Sequence, residues 1–308
     1  MTAARERNRK HAHGSNVHRK DVPSKSMLPP VPSALAALVS ATALSVPAAA
    51  ESSSSDKSAY SLTNPTPQSR LREMSTDRPD KTESPYTVDA GRFQIETDLF
   101  AYKVDRESGV TSRTYDILPF NVKIGLAHDT DLQIVYGAFS VARVSGGPPS
   151  ERGFGDVTLR LKHNLWGNDG GRTAFGLMPF VKLPTNTMSD LNDSVEGGLI
   201  VPLAIDLGNG VGLGLMTEVD ILKNATGGYD PSFINSASLS FELTDRVGAY
   251  VEAFVEHSTE RNADTVVTID GGFTFAVTDN LQLDAGANIG VTDAADDLTV
   301  FMGLSQRY

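Results

Sequence analysis

Val266-Val267-Thr268-Ile269-Asp270-Gly271-Gly272-Phe273-Thr274-Phe275-Ala276-Val277 is followed by Thr278-Asp279-Asn280 and then by Leu281-Gln282-Leu283-Asp284-Ala285-Gly286-Ala287-Asn288-Ile289-Gly290-Val291. In the first run Val267, Ile269, Phe273, Phe275 and Val277 alternate with Thr268, Asp270, Gly272 and Thr274. The second repeats the pattern, with Leu281, Leu283, Ala285, Ala287, Ile289 and Val291 against Gln282, Asp284, Gly286, Asn288 and Gly290. A period of two on both sides of a polar turn predicts a hairpin. Each arm runs to about 12 residues, where a strand of a soluble protein has ~5–6. Arms of that length, greasy on one face and polar on the other, suit a tilted strand that needs ~9–11 residues to cross a bilayer.

The same pattern recurs along the chain. Strands are predicted at 91–103, 113–126, 132–143, 154–165, 173–183, 194–207, 211–222, 232–243, 247–257, 264–277, 281–292 and 297–308. The connections alternate in length, short after strands two, four, six, eight and ten and longer after strands one, three, five and seven. Short ones are read at Ala127 to Asp131, Trp166 to Arg172, Gly208 to Gly210, Thr244 to Arg246 and Thr278 to Asn280, and longer ones at Val104 to Ser112, Val144 to Gly153, Pro184 to Asp193 and Lys223 to Pro231. Every second connection of an up-and-down barrel lies at the same end, so this predicts short turns at a periplasmic end and longer loops outside.

Faces stay consistent from strand to strand. Val157, Leu159 and Leu161, Leu199, Val201 and Leu203, and Ala237, Leu239 and Phe241 share one; Arg160, Lys162, Glu196, Gly198, Gly214, Glu218 and Ser238 share the other. A β-sandwich would also alternate, but with shorter strands. Charges of both signs thinned by glycine predict a hydrated lumen with open volume. The expected fold is therefore all-β, an up-and-down antiparallel transmembrane β-barrel of twelve strands. Phe93, Trp166, Phe301 and Tyr308 are candidates for the aromatic girdle, and Leu298, Val300, Met302, Leu304 and Tyr308 give the last strand an apolar face ending in an aromatic residue.

Residues 1–50 read as a secretory signal with a basic leader. Arg5, Arg7, Arg9, Lys10, Arg19, Lys20 and Lys25 precede the uncharged stretch Met27 to Ala50, whose Pro47-Ala48-Ala49-Ala50 is a small-residue cleavage site. The run is shorter than the ~20 residues of a helical span. After cleavage the chain carries 20 Lys and Arg against 36 Asp and Glu, a net charge of −16. So acidic a chain lacks the clustered cations of a nucleic-acid binder. The absence of cysteine removes disulfides, thiolate metal sites and a cysteine nucleophile.

Residues 51–90 are predicted as a flexible linker and candidate plug, and 91–308 as the barrel. Glu51 to Arg72 is rich in Ser, Pro, Gln and Thr. Ser75 to Tyr86 could fold into the barrel, with Asp77, Arg78, Asp80 and Glu83 meeting charges of the lumen. On the polar parity of the strands lie Glu96, Asp98, Arg160, Lys162, Lys182, Glu196, Glu218, Glu252, Asp270 and Asp284. These are expected to line a substrate path, cations on strands four and five facing carboxylates elsewhere. A second reading is that they pair with one another and stabilise the interior. Phe100, Tyr102, Met178, Phe180, Met216, Tyr250 and Phe254 share the inward parity and would give an apolar solute a greasy vestibule.

Several stretches resemble the outer-membrane transporter family named for the meta-pathway of phenol degradation. They are Thr76-Asp77-Arg78-Pro79-Asp80 with Glu83-Ser84-Pro85, Gly91-Arg92-Phe93-Gln94-Ile95-Glu96, Gly153-Phe154-Gly155-Asp156, Asn164-Leu165-Trp166-Gly167-Asn168, Met178 to Thr185, Glu196-Gly197-Gly198 and Thr278 to Asp284. The resemblance covers roughly 75–308 and departs at Gln306, where an aromatic would be expected. It implies an outer-membrane barrel passing small organic molecules and carries no catalytic or ligand residue with it.

Catalysis finds little support. His257 and Thr259 have same-face spacing, yet nothing nearby marks an orienting partner or an oxyanion site. Asp293, Asp296 and Asp297 lack the spaced glycine and glutamate of a calcium loop, and Gly167 to Gly171 lacks the Lys-Ser/Thr of a phosphate loop. The expectation is a monomeric channel for passive uptake in the outer membrane of a Gram-negative bacterium, with no catalytic residue, metal or cofactor. Its partners would be outer-membrane lipid, a small-molecule solute and the barrel-assembly machinery, with no nucleic acid. The alternative is a non-conducting structural or surface-interaction barrel.

Overall fold

The computed structural model describes residues 56–147, 150–188 and 192–308. The expected leader and its cleavage site lie outside the described residues. Among these residues, strands follow one another as β1 (Phe93–Glu107), β2 (Val110–Ile117), β3 (Phe120–Ala127), β4 (Thr130–Tyr136), β5 (Phe139–Val144), β6 (Glu151–Phe154), β7 (Val157–Trp166), β8 (Thr173–Leu183), β9 (Glu196–Gly208), β10 (Val211–Lys223), β11 (Tyr229–Glu242), β12 (Val247–Ser258), β13 (Val266–Thr278), β14 (Leu281–Gly290) and β15 (Leu298–Arg307). Three pairs are halves of one stave: β2 with β3, β4 with β5, and β6 with β7. Counted as staves they make the twelve that the alternation predicts. All neighbours are antiparallel, and β1 pairs with β15 from Gln94↔Arg307 to Val104↔Leu298, which closes the barrel; among the described strands only β6 ends the order, paired with β5 on one side and met by Thr187 N at Phe154 O on the other.

Apolar residues of the outward parity are exposed on the wall, among them Leu159, Leu161, Leu199, Leu239, Ile269, Phe273 and Leu283. The inner face packs Met178, Ile200, Met216, Ile234, Phe254 and Val266 into one apolar cluster with Phe180 against it. Buried charged and neutral polar side chains occupy much of the rest of that face.

The first hairpin differs from expectation. The sequence pattern predicts a loop from Val104 to Ser112, but the strands continue to Glu107↔Val110 and turn at Ser108-Gly109, both with positive φ, 49° and 81°. Such a turn matches the twist of a hairpin and favours glycine. The extension is polar because it rises beyond the apolar band, and a strand without an apolar face leaves no alternation to read.

Faces also change parity in the first four staves. The β1–β15 register shifts between Asp98 and Phe100, so the inward series Gln94, Glu96, Asp98 continues as Ala101, Lys103, Asp105. One extra residue in a strand reverses every side chain beyond it. Phe100 and Tyr102, expected inside, therefore stand outside, where both pack on Tyr115. Phe301, expected in the girdle, points into the lumen beneath the Arg78 guanidinium, 5.9 Å from its ring centre. Neighbouring staves break at the same level, at Leu118-Pro119, Gly137-Ala138 and Gly155-Asp156, so the wall carries a continuous seam. Gly137 and Gly155 face each other across it so closely that a Cβ on Gly137 would collide with the Gly155 backbone. Two hydrogen bonds hold it there, Gly137 N to Asp156 O at 2.9 Å and Gly155 N to Ala138 O at 3.0 Å.

Candidate functional site

Residues 73–90 run through the barrel interior rather than beside it. Proline and turn residues keep Thr76 to Pro85 out of helix and ladder, leaving backbone N–H groups that need other partners. Wall carboxylates supply them. Glu96 accepts from Asp77 N at 3.1 and 3.2 Å, and Glu252 accepts from Lys81 N at 3.0 Å and Thr82 N at 2.8 Å.

Charge is largely sorted across the lumen, with Glu96 and Asp131 as the carboxylates that stand among the cations. On one side stand Lys123 of β3 and Arg160 and Lys162 of β7; on the other stand Glu252, Asp270 and Asp284 of β12, β13 and β14. The segment presents the opposite sign to each. Asp77 meets Lys162 Nζ at 2.6 Å and Lys123 Nζ at 2.5 Å, and Glu83 meets Arg160 at 2.6 Å. Facing the other way, Arg78 holds Asp284 and Asp98, both at 2.7 Å, and Lys81 holds Asp270 at 3.0 Å. Burial would push the Asp77 carboxyl up, but the two ammonium groups outweigh it and hold Asp77 far below the ordinary carboxylate range. Asp80 has no such partner: burial, with Asp77 and Glu83 adding to it against a Ser238 hydrogen bond, pushes it up to about 7.

Lumen glycines accept this backbone. A Cβ on Gly125 would overlap the Asp89 carbonyl, and one on Gly214 would come within 3.1 Å of Thr82 Cγ2. The open volume that the glycine-thinned face predicts is thus occupied by the chain's own segment.

At the turn end the segment is tied down. Lys57 and Arg72 bind Asp169 at 2.8 and 2.9 Å, Arg72 N donates to Asp89 at 2.9 Å, and Arg307 donates to the Arg72 carbonyl at 2.7 Å. Ser61 forms a bridge with Ala127. The Ser- and Pro-rich stretch from Asp56 to Arg72 is in this way packed onto the turns.

Among the described residues, cavities lie on both sides of the segment. On the loop side one of about 350 Å³ is lined by Arg78, Asp98, Lys103, Asp116 and Phe301 and reaches the seam at Tyr136, Gly137 and Gly155. On the turn side one of about 710 Å³ is bounded by Arg72, Glu73, Met74, Arg246 and Arg307.

Of the ten lumen residues expected from parity, Glu96, Asp98, Arg160, Lys162, Glu252, Asp270 and Asp284 touch the segment. Lys182 and Glu196 instead pair with each other at 3.2 Å nearer the loops, where Lys182 also reaches Asp156 at 3.5 Å. Glu218 is buried next to the apolar cluster, cross-strand from Ile200 and Ile234. Sequence reasoning missed Lys123 and Lys81. The parity of Lys123 between Val122 and Ile124 was a usable signal, whereas Lys81 has no periodic context. His257 and Thr259 are not brought together: His257 Nδ1 lies 2.9 Å from Thr265 Oγ1, and Thr259 Oγ1 donates to Pro231 O.

The family described as "Putative MetA-pathway of phenol degradation" matches residues 76–308. Among solved structures, an outer membrane channel from Pseudomonas putida F1 overlays with a TM-score of 0.52 at 12% identity, over 76% of this chain and 100% of that one. The NanC porin gives 0.45 at 9% identity, over 70% and 98%, and the CymD monoaromatic hydrocarbon channel 0.41 at 7%, over 70% and 88%. At such identities the likeness concerns the fold. No curated protein matches the chain in sequence.

Proposed function

The chain belongs to that phenol-degradation family, and from this membership we propose that it is a passive channel for small organic molecules, aromatic compounds among them, in the outer membrane of a Gram-negative bacterium. It acts as a monomer without catalysing a reaction, its loop end facing outward and its turn end facing the periplasm. Lipid covers the apolar wall, and the barrel-assembly machinery inserts it.

The observation that carries this reading is the loop-side cavity. It is large enough for a single aromatic ring, stops at Arg78 to Lys81, and continues sideways to the seam. A solute entering from outside meets polar groups at Asp98, Lys103 and Asp116 and the ring face of Phe301. Its lining sets Ala101, Val135, Tyr136 and Phe301 among charged side chains, so it offers a small molecule both an apolar surface and groups that orient a polar substituent. Beyond it two ways remain: past the displaced segment to the turn-side cavity, or through the seam, where Phe120, Tyr136 and Phe154 present an apolar exit. Residues 73–90 act as the plug, and the lumen charges serve mainly to seat it.

Single-channel conductance of refolded Glu51–Tyr308 in a planar bilayer tests the proposal, beside a chain lacking residues 51–86. Discrete steps that grow on deletion are expected. Insertion with no conductance from either form and no uptake of small aromatic acids into liposomes would favour the non-conducting structural barrel.

A further inference from the structure

The outer wall carries a cationic cluster that the channel does not use. Arg113 of β2, Arg143 of β5 and Arg152 of β6 are all exposed. Arg113 and Arg143 are direct cross-strand partners, and Arg152 pairs with Val141, two residues from Arg143 on the same face. Like charges set directly opposite each other are unfavourable unless something between them carries the other sign. Among the described residues no carboxylate forms an ion pair with any of the three. The nearby Arg106 differs, since Asp297 stands 3.5 Å away.

What lies beneath the cluster is apolar. Along each strand the next outward residue toward the turn end is Tyr115 below Arg113, Val141 below Arg143 and Phe154 below Arg152. Tyr115 packs on Tyr102 and Phe100 at 5.2 and 6.3 Å, and Phe154 packs on Phe139 at 5.1 Å. The Arg143 guanidinium lies 5.9 Å from the Tyr115 ring centre, planting the cation on the edge of this belt. Hydrogen bonds between Thr111 and Ser145 stiffen the hairpins above it.

We infer that this face binds the phosphorylated headgroup of an outer-leaflet glycolipid, its phosphates between Arg113, Arg143 and Arg152 and its acyl chains on the aromatic belt below. Guanidinium groups bind phosphate through paired parallel hydrogen bonds, and a bis-phosphorylated headgroup supplies the negative charge that three neighbouring cations lack. The location selects a lipid over a soluble anion, because the cations crown an apolar surface outside the barrel. The inference rests on the reading that the loop end faces outward.

Native mass spectrometry of the full chain purified in detergent tests it, with diphosphoryl lipid A, monophosphoryl lipid A and phosphatidylglycerol as probes. Diphosphoryl lipid A should be retained at least ten-fold better than phosphatidylglycerol, and monophosphoryl lipid A should fall between them. The combined Arg113→Gln, Arg143→Gln and Arg152→Gln variant should lose that preference while its single-channel trace stays unchanged. Arg143→Lys, which keeps the charge but not the planar fork, should retain the lipid several-fold less well and guards against misfolding of the triple variant. Equal retention of all three lipids, or a triple variant that binds as the parent does, overturns the site. Conductance without selective retention sinks this inference alone, and selective retention without conductance sinks the channel reading alone.

Discussion

Lys162 Nζ lies 2.6 and 2.8 Å from the two carboxylate oxygens of Asp77, and the lysine side chain is fully buried. A cation of the wall and an anion of the internal segment thus neutralise each other away from water. Removing one member of such a pair leaves an uncompensated charge. Asp77→Ala should weaken seating of the segment by about 3–5 kcal/mol, read as faster proteolysis between 73 and 90 and larger conductance. Adding Lys162→Met should restore much of the loss. If Asp77→Ala leaves both readouts unchanged, the pair does not seat the segment.

Arg78 bridges Asp98 and Asp284. With Arg78→Gln, Asp98 lines the loop-side cavity without its cation and the buried Asp284 behind it loses the same partner, so the channel should become more selective for potassium over chloride. Reversal potentials in a salt gradient measure the change, and a shift toward chloride would contradict the assignment.

Acidity should tighten the plug. Asp80 is pushed from its ordinary 3.8 up to about 7, so the seated form binds more protons than the released form between those values. Its contribution is full below about pH 4, falls as pH rises toward 7 and levels off above. The groups around it are Asp77, Glu83 and Ser238, with the Glu252 carboxylate and the Tyr250 hydroxyl on the wall and Lys81 next to it in the chain. Open-channel noise recorded from pH 4 to 8 should rise with pH, and Asp80→Asn should flatten that rise.

Gly125 lies directly against the Val88–Asp89 backbone of the segment. A Cβ there forces Val88 to Asp89 to move, a cost of about 1–3 kcal/mol for overpacking. Gly125→Ala should speed hydrogen exchange in 86–92 while leaving the strands protected. Unaltered exchange would mean that the contact is not binding.

Phe120 and Tyr136 are cross-strand partners whose rings stack at 4.6 Å beside the seam. The chain has no cysteine, so Phe120→Cys with Tyr136→Cys introduces one candidate disulfide. Oxidation should slow uptake of an apolar aromatic solute but spare ion conductance if the solute leaves through the wall. Equal loss of both would place the route along the barrel axis.

Much of the barrel was legible because its wall has only one chemistry per face. From β8 onward each strand keeps a period of two apart from shifts at the turn ends of the β9–β10 and β13–β14 ladders, and the predicted spans fall close to the observed ones. Prediction went astray where the period breaks. Leu99 in β1 and the interruptions at Leu118, Gly137 and Gly155 shift parity by one residue, which a window of alternating residues cannot register, so Phe100 and Tyr102 were placed inside. The charged lumen residues were readable one by one. Their partners were not, because Asp77, Arg78, Lys81 and Glu83 are fixed by contacts with strands as much as 206 residues away in sequence, and a turn-rich segment has no pattern of its own.

The pairing of β1 with β15 joins the two ends of the described barrel, Gln94 with Arg307. Bringing such remote residues together is the costliest loop closure in the chain. The internal segment immediately precedes β1 and is enclosed by the finished wall. It must therefore be drawn inside while the cylinder is still an open sheet, or enter later through a mouth narrowed by turns. The cost of loop closure favours the first route, in which the segment settles on an unclosed sheet and the junction between Phe93 and Tyr308 is the last to zip.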